Sequence, residues 1–265
     1  MNGQIIRYLA LNGPSLIYSV AKDLASRSET KIHYPTVNRR VHELVQQEYI
    51  QKAGTRVTKA GMQADLYVTT IRGDFAALAG MPNSYGTENA AEITPKEIRQ
   101  IIASASLRKG SPFVLLAHIM EDGQDGIDFV EKEVMPEIIK GVKNGYLNLD
   151  ALDEGVICSA FASLIARNVI TISSKDHSAN SKETHKDYID MLMRSLEKTI
   201  DLKDPVIDKR KEPEKDNISR SSHSDMEKNS HSNHMHQQQL HLASVSRQWC
   251  SELKVFLRLH AVRLD

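Results

Sequence analysis

The chain changes its hydrophobic period near residue 49, and this limits what its first third can fold into. Before that point, apolar residues recur at helical spacing; after it, they alternate. Residues 2–12 place Ile5, Ile6, Leu9 and Tyr8 toward one helical face, and Gly13-Pro14 supplies a stop. Ser15 is expected to cap a second helix, Leu16 to about Ser26, carried by Ile17, Val20, Ala21 and Leu24 at i, i+3, i+4, i+7. A polar turn over 27–33 precedes a third helix that starts near Tyr34-Pro35. Proline is suited to that position because its missing N–H has no helical partner to lose. Val37, Val41, Leu44, Val45 and the aliphatic part of Glu48 form the expected inward stripe. Pro35, Thr36, Arg39, His42, Glu43 and Gln46 fall on the opposite side. Ile50-Gln51-Lys52 then reads as a short strand. Residues 54–63 form a polar, glycine-bounded loop, and Asp65 to Thr69 alternate as a returning strand. Thr70 to Gly73 close the unit.

Equal numbers of basic and acidic residues, 34 each, hide an uneven distribution. Residues 1–72 hold ten Lys/Arg against five Asp/Glu, net +5. Residues 73–203 hold fourteen against twenty, net −6. A basic segment ahead of an acidic one points to a polyanionic partner for the first part alone. The longest apolar stretches are far too short to span a bilayer, and no secretion signal is visible. Cys158 and Cys250 stand far apart, which argues against a disulfide scaffold or a cysteine zinc site and fits a reducing cytoplasm.

Residues 81–93 read as a linker. Thr94 and Glu97 form a capping box with Pro95 at the first position of the next helix, which Ile98, Ile101 and Ile102 continue. Ser111-Pro112 starts another helix. Residues 127–144 are helical with an interruption at Pro136. Leu149 to about Ile172 forms the strongest helix, with a stripe of Val156, Ile157, Ala160, Phe161, Leu164 and Ile165. A polar stretch over 173–184 precedes a last helix marked by Tyr188, Met191, Leu192, Ser195, Leu196 and Thr199. Residues 94–203 are thus expected to be an all-helical domain for dimerisation or sensing. Residues 204–242 carry almost no large apolar side chains and are expected to be disordered. Residues 243–265 regain an amphipathic helical pattern through Trp249, Leu253, Phe256 and Leu257, which leaves three readings open: docking on the helical bundle, binding a protein partner, or a poorly structured tail end.

Three helices followed by a two-stranded ribbon is the order of a winged helix-turn-helix. The run HYPTVNRRVHELVQQEYIQKAGTR, followed by ADLYVTTIRG, resembles the recognition helix, wing and closing strand of that family. The similarity is to the PadR, MarR and ArsR-like transcriptional regulators in their archaeal style. It is carried by Thr36-Val37, Arg39-Arg40, Leu44 and Tyr49-Ile50 over about a third of the chain. Glu48-Tyr49 stands where that pattern usually has a glycine. The resemblance implies a mainly helical protein. Residues 1–80 form a winged helix-turn-helix domain of three helices and a two-stranded wing, ahead of the helical domain and tail. It also implies a homodimer on double-stranded DNA.

A helix fits the major groove, and its exposed N-terminal half reaches base edges. The expected DNA-binding residues are Tyr34, Thr36, Asn38, Arg39, Arg40 and His42 on that helix, with Arg56, Thr58 and Lys59 on the wing. Arg39 suits guanine and Asn38 adenine. Arg40, nearer the helix edge, suits phosphate. Five histidines, at 223, 231, 234, 236 and 241, crowd the tail, but their spacing matches no rigid metal site. His118 and Cys158 read as core residues. No phosphate loop, GxSxG or HExxH is present, so neither cofactor nor catalysis is expected. The expected function is therefore a cytoplasmic, sequence-specific transcriptional regulator. Two alternatives stay open: an interaction adaptor that uses the winged helix as a docking module, and an enzyme in the helical half regulated by it.

Overall fold

A computed structural model describes residues 1–28, 32–80, 93–108, 111–150, 153–175, 179–201, 248 and 250–258. The chain is mainly helical, with one small three-stranded antiparallel sheet. Helix α1 (Asn2–Asn12) buries Ile5, Ile6, Leu9 and Ala10. Gly13 ends it at φ +67, donating its N–H to the Leu9 carbonyl at 2.9 Å. Helix α2 (Ile17–Arg27) buries Ile17, Val20, Ala21 and Leu24. Helix α3 (Tyr34–Gln46) carries Pro35 in its first turn and buries Val37, Val41 and Leu44. The stripes of α1 and α2 match expectation, because one apolar face must leave water; in α3, Val45 is only half-buried, and Glu48, expected to face inward, lies beyond the helix end and is exposed.

The strands depart from expectation in extent. Ser15 does not cap α2. With Leu16 it forms β1 (Ser15–Leu16), and its hydroxyl donates to the Gly13 carbonyl at 3.1 Å. Strand β2 runs over Ile50–Val57 and β3 over Gln63–Thr69, well into the stretch expected to be loop. The sheet order is β1-β3-β2. Ile50 pairs with Thr69 and Val57 with Gln63, with a bulge between Lys52 and Gly54.

Residues 70–73 do not merely close the unit: they open helix α4 (Ile71–Ala79), all nine residues of which are buried. Thr70 caps it by accepting from Gly73 N. Phe75 stacks at 4.7 Å from Phe113 and 5.5 Å from Phe161, ring centroid to centroid. Helix α4 packs against α1 on one side. On the others it meets three helices of the second half: α5 (Pro95–Ser106), α8 (Met135–Lys143) and α9 (Glu154–Lys175). One continuous apolar core results.

Between α5 and α8 lie α6 (Phe113–Met120), α7 (Gln124–Asp128) and a π-helical stretch, Phe129–Val134. The expected interruption at Pro136 takes this form. The π stretch runs directly into α8, with Pro136 as its second residue. Asn168 Nδ2 satisfies the π-helical Glu133 carbonyl at 2.9 Å. Helix α9 starts five residues later than expected, at Glu154, where Asp153 Oδ1 accepts from Gly155 N at 2.7 Å. Val156 leaves the predicted stripe and is 55% exposed, since Ile157, Cys158, Phe161 and Ile165 take the inward arc. Helix α9 extends to Lys175, and α10 (Ala179–Asp201) starts within the polar stretch expected to precede the last helix. Lys, Glu and Asp do not by themselves stop a helix.

Residues 250–258 are helical, with Cys250, Leu253 and Leu257 buried and Lys254 Nζ 2.9 Å from Glu197 Oε1. Residues 81–92, the tail 204–242 with its histidines, and Trp249 lie outside the described residues. Among the described residues, no helix is long and apolar enough to cross a membrane, and no cluster of three or more potential ligands could hold a metal.

Helix α5 is clamped to α1. The capping box of Thr94 and Glu97 forms as expected. The same Glu97 carboxylate takes Arg7 in a two-pronged grip, Nε to Oε1 at 3.2 Å and Nη2 to Oε2 at 2.6 Å. Gln100 Nε2 adds a bond to the Leu11 carbonyl at 2.9 Å. Desolvation pushes the Glu97 carboxyl up, but the bonds from Arg7 and Thr94 outweigh it and bring it from 4.5 down to about 2. Such a depressed carboxylate adds stability above its unfolded value and loses it as pH falls through the folded one. The wild-type advantage over Glu97→Gln, measured by urea unfolding, should therefore be full at neutral pH and fade between about 4.5 and about 2. A pH-independent difference would show that the Arg7 grip is not what sets it.

Candidate nucleic-acid interface

Helix α3 is held from behind by Val37, Val41 and Leu44, which fixes what its other side presents. Tyr34 is 48% exposed and the Arg39 side chain 67% exposed; His42 is exposed. Thr36, Asn38 and Arg40 are half-buried. Beside this face stands the β2–β3 hairpin. Every residue of β2 after Ile50 is exposed, so the hairpin projects from the body. At its tip, Thr58 N donates to the Met62 carbonyl at 2.8 Å, and Gly61 N to the Thr58 carbonyl at 2.9 Å. Gly61 adopts φ +76, a left-handed conformation that suits glycine. The Thr58 hydroxyl accepts from Met62 N at 3.2 Å, so it helps close the turn. Arg56 and Lys59 are exposed on either side of it.

The two parts adjoin. The His42 ring meets Tyr67 of β3 edge-on at 6.1 Å. Burial raises the Tyr67 hydroxyl, as do Asp65 and Tyr34, against the opposing charge of Lys52. Lys52 itself pairs across the hairpin with Asp65 at 2.7 Å. The charge on the helix is less free than the sequence suggests. Glu43 accepts from Arg40 Nη1 at 2.7 Å and lies 3.7 Å from Arg39 Nε. The spacing i, i+3 and i, i+4 was visible in the sequence, but a search for cations passes over the acid between them.

No family model matches the chain, and neither does any curated protein or solved structure.

The hairpin and α3 share one mounting point, which the sequence did not reveal. After α3 the chain turns at Glu48, which adopts φ +58, the conformation for which a glycine is usual. Arg72 of α4 spans this turn. Its Nη1 donates to the Gln47 carbonyl at 2.8 Å, Nη2 lies 3.3 Å from Glu48 Oε2, and the guanidinium sits 5.7 Å from the Tyr49 ring centroid. Thr70 Oγ1 donates to the Glu48 carbonyl at 2.6 Å, and Thr70 N to the Tyr49 carbonyl at 3.0 Å. Beneath this lies a buried ion pair of Asp74 and Arg108, joined by a bond from Arg108 to the Thr69 carbonyl. The Thr69 hydroxyl donates to Asp74 Oδ1 at 2.5 Å. Burial lowers Arg108 to about 10, although Glu154 opposes it. Glu154 accepts from Ile71 N at 3.2 Å; burial raises its carboxyl against that bond and the charges of Arg108 and Arg72. Cys158 and Cys250 are buried, which pushes both thiols up to about 12 and makes them poor nucleophiles.

Gly73 makes the mounting possible. A Cβ there would lie 2.1 Å from the Tyr49 carbonyl oxygen, with backbone on both sides of the clash. Gly73→Ala should therefore cost about 2–3 kcal/mol and lower Tm by roughly 5–10 °C, read by thermal unfolding. A shift within error of wild type would mean that α4 can back away from Tyr49 without loss.

Proposed function

We propose that this chain is a sequence-specific DNA-binding transcriptional regulator built on a winged helix-turn-helix. In this reading, α2 and α3 are the helix-turn-helix, α3 enters the major groove, and the β2–β3 hairpin is the wing. What supports it is one juxtaposition: an exposed α3 face beside a projecting hairpin whose tip bears Arg56 and Lys59. A helix has the width of the major groove, and a ribbon alongside can follow the phosphate backbone. Arg39 reads bases; Arg56 and Lys59 hold phosphates, with Thr58 shaping the turn that presents them. The protein acts by occupying a promoter as a cytoplasmic homodimer, without chemistry of its own. The helical second half supplies the dimer contact.

Selection of the full chain on random duplexes at two salt concentrations tests this. An enriched palindrome with a steep salt slope is the expected outcome. Arg39→Ala should then relax preference at one position. Lys59→Ala should instead weaken binding to all sequences alike and reduce the salt slope by about one. If no duplex binds at either salt, the DNA reading falls and the same face becomes a protein-docking surface.

A further inference from the structure

A surface selected only to grip a polyanion has no use for a carboxylate at its centre. Glu43 sits there, with its side chain 36% exposed, between Arg39 and Arg40 on the outward arc of α3. Its charge repels phosphates and offsets the two guanidiniums closest to it. It is also held in place: the 2.7 Å bond from Arg40 fixes one oxygen, Oε2. The other, Oε1, is 3.7 Å from the more exposed Arg39, beyond a direct hydrogen bond.

We propose, on the basis of the DNA reading above, that Glu43 is a specificity-determining residue that selects cytosine in the major groove. The four bases differ there in a way a carboxylate can sense. Guanine offers two acceptors, thymine an acceptor and a methyl group, and adenine a donor next to an acceptor. Cytosine alone offers a donor, the N4 amino group, without an acceptor on the same base edge. An acceptor-only side chain finds no donor on guanine or thymine, a donor flanked by the repelling N7 on adenine, and an unopposed donor on cytosine. Arg39, one turn back on the same face, turns away from Glu43 to take a neighbouring guanine. Arg40 stays with Glu43 and keeps its carboxylate aimed. The substrate is thus a duplex whose half-site contains a cytosine close to a guanine. Glu43 lowers affinity for every other sequence and thereby raises discrimination.

The test compares wild type, Glu43→Gln and Glu43→Ala by selection on random duplexes, with titration on one non-cognate duplex at two salt concentrations. Wild type should prefer cytosine at one position by roughly tenfold or more. Glutamine both donates and accepts, so Glu43→Gln should move that position toward adenine while the others stand. Glu43→Ala should lose the preference without gaining another. Both variants should bind the non-cognate duplex several-fold more tightly, with a steeper salt slope. An unchanged motif in both variants overturns the role of Glu43 and leaves the DNA reading intact. Absence of any duplex binding by wild type overturns the DNA reading itself, and this inference with it.

Discussion

The buried pair of Asp74 and Arg108 is the contact around which the rest of the molecule is arranged. It lies where three pieces meet: the end of β3 at Thr69, the first turn of α4, and the segment after α5. Removing one member of such a pair leaves an uncompensated buried charge, which typically costs about 3–5 kcal/mol. The pair therefore serves less as a source of net stability than as a condition on geometry. Asp74 is buried against Arg108, and Arg108 reaches it from the segment that follows α5. The Glu97 grip on Arg7 makes the same demand from the other side. The hairpin base, α3 and α4 are thus seated on the helical half rather than standing apart from it.

That seating bears on how the candidate interface is aimed. The hairpin contributes few apolar contacts beyond its base, yet it must keep a fixed relation to α3 for the two to present one surface. Backbone carbonyls of Gln47, Glu48 and Tyr49 supply that relation, because α4 takes up each of them through Arg72 or Thr70. A helix bonded to main chain tolerates changes in the side chains it holds far better than one that depends on side-chain packing.

The stripes of α1, α2 and α3 were legible because each helix buries one face and leaves the other in water, which prints a period on the sequence. Helix α4 was not. Buried on all sides, it shows no alternation, and Thr70 to Gly73 at its start read as the close of the preceding unit. Their partners, Arg108 and Glu154, lie too far along the chain for any local pattern to join them. The length of β2 was hidden for the opposite reason: exposed on both faces, it has no apolar side to mark. Of the candidate site, the wheel placed Arg39 and His42 outward, where both are exposed, and Thr36 outward, where it is half-buried. It could not say that Thr58 is spent on its own turn, or that Glu43 occupies Arg40.

The bulge between Lys52 and Gly54 has a further consequence for the hairpin. Side chains on a strand alternate sides, and one extra residue reverses the alternation beyond it. Below the bulge, Ile50 and Lys52 lie opposite Thr69 and Tyr67. Above it, Gly54 and Arg56 lie opposite Leu66 and Ala64, on the other side of the ribbon. The two cations of β2 therefore point in opposite directions, one turned toward Asp65 and the other away from it. Which way Arg56 faces is decided by a count of residues, not by their chemistry. If Ala53 were paired regularly instead of bulged, Arg56 would fall opposite Gln63 and turn to the side of Asp65.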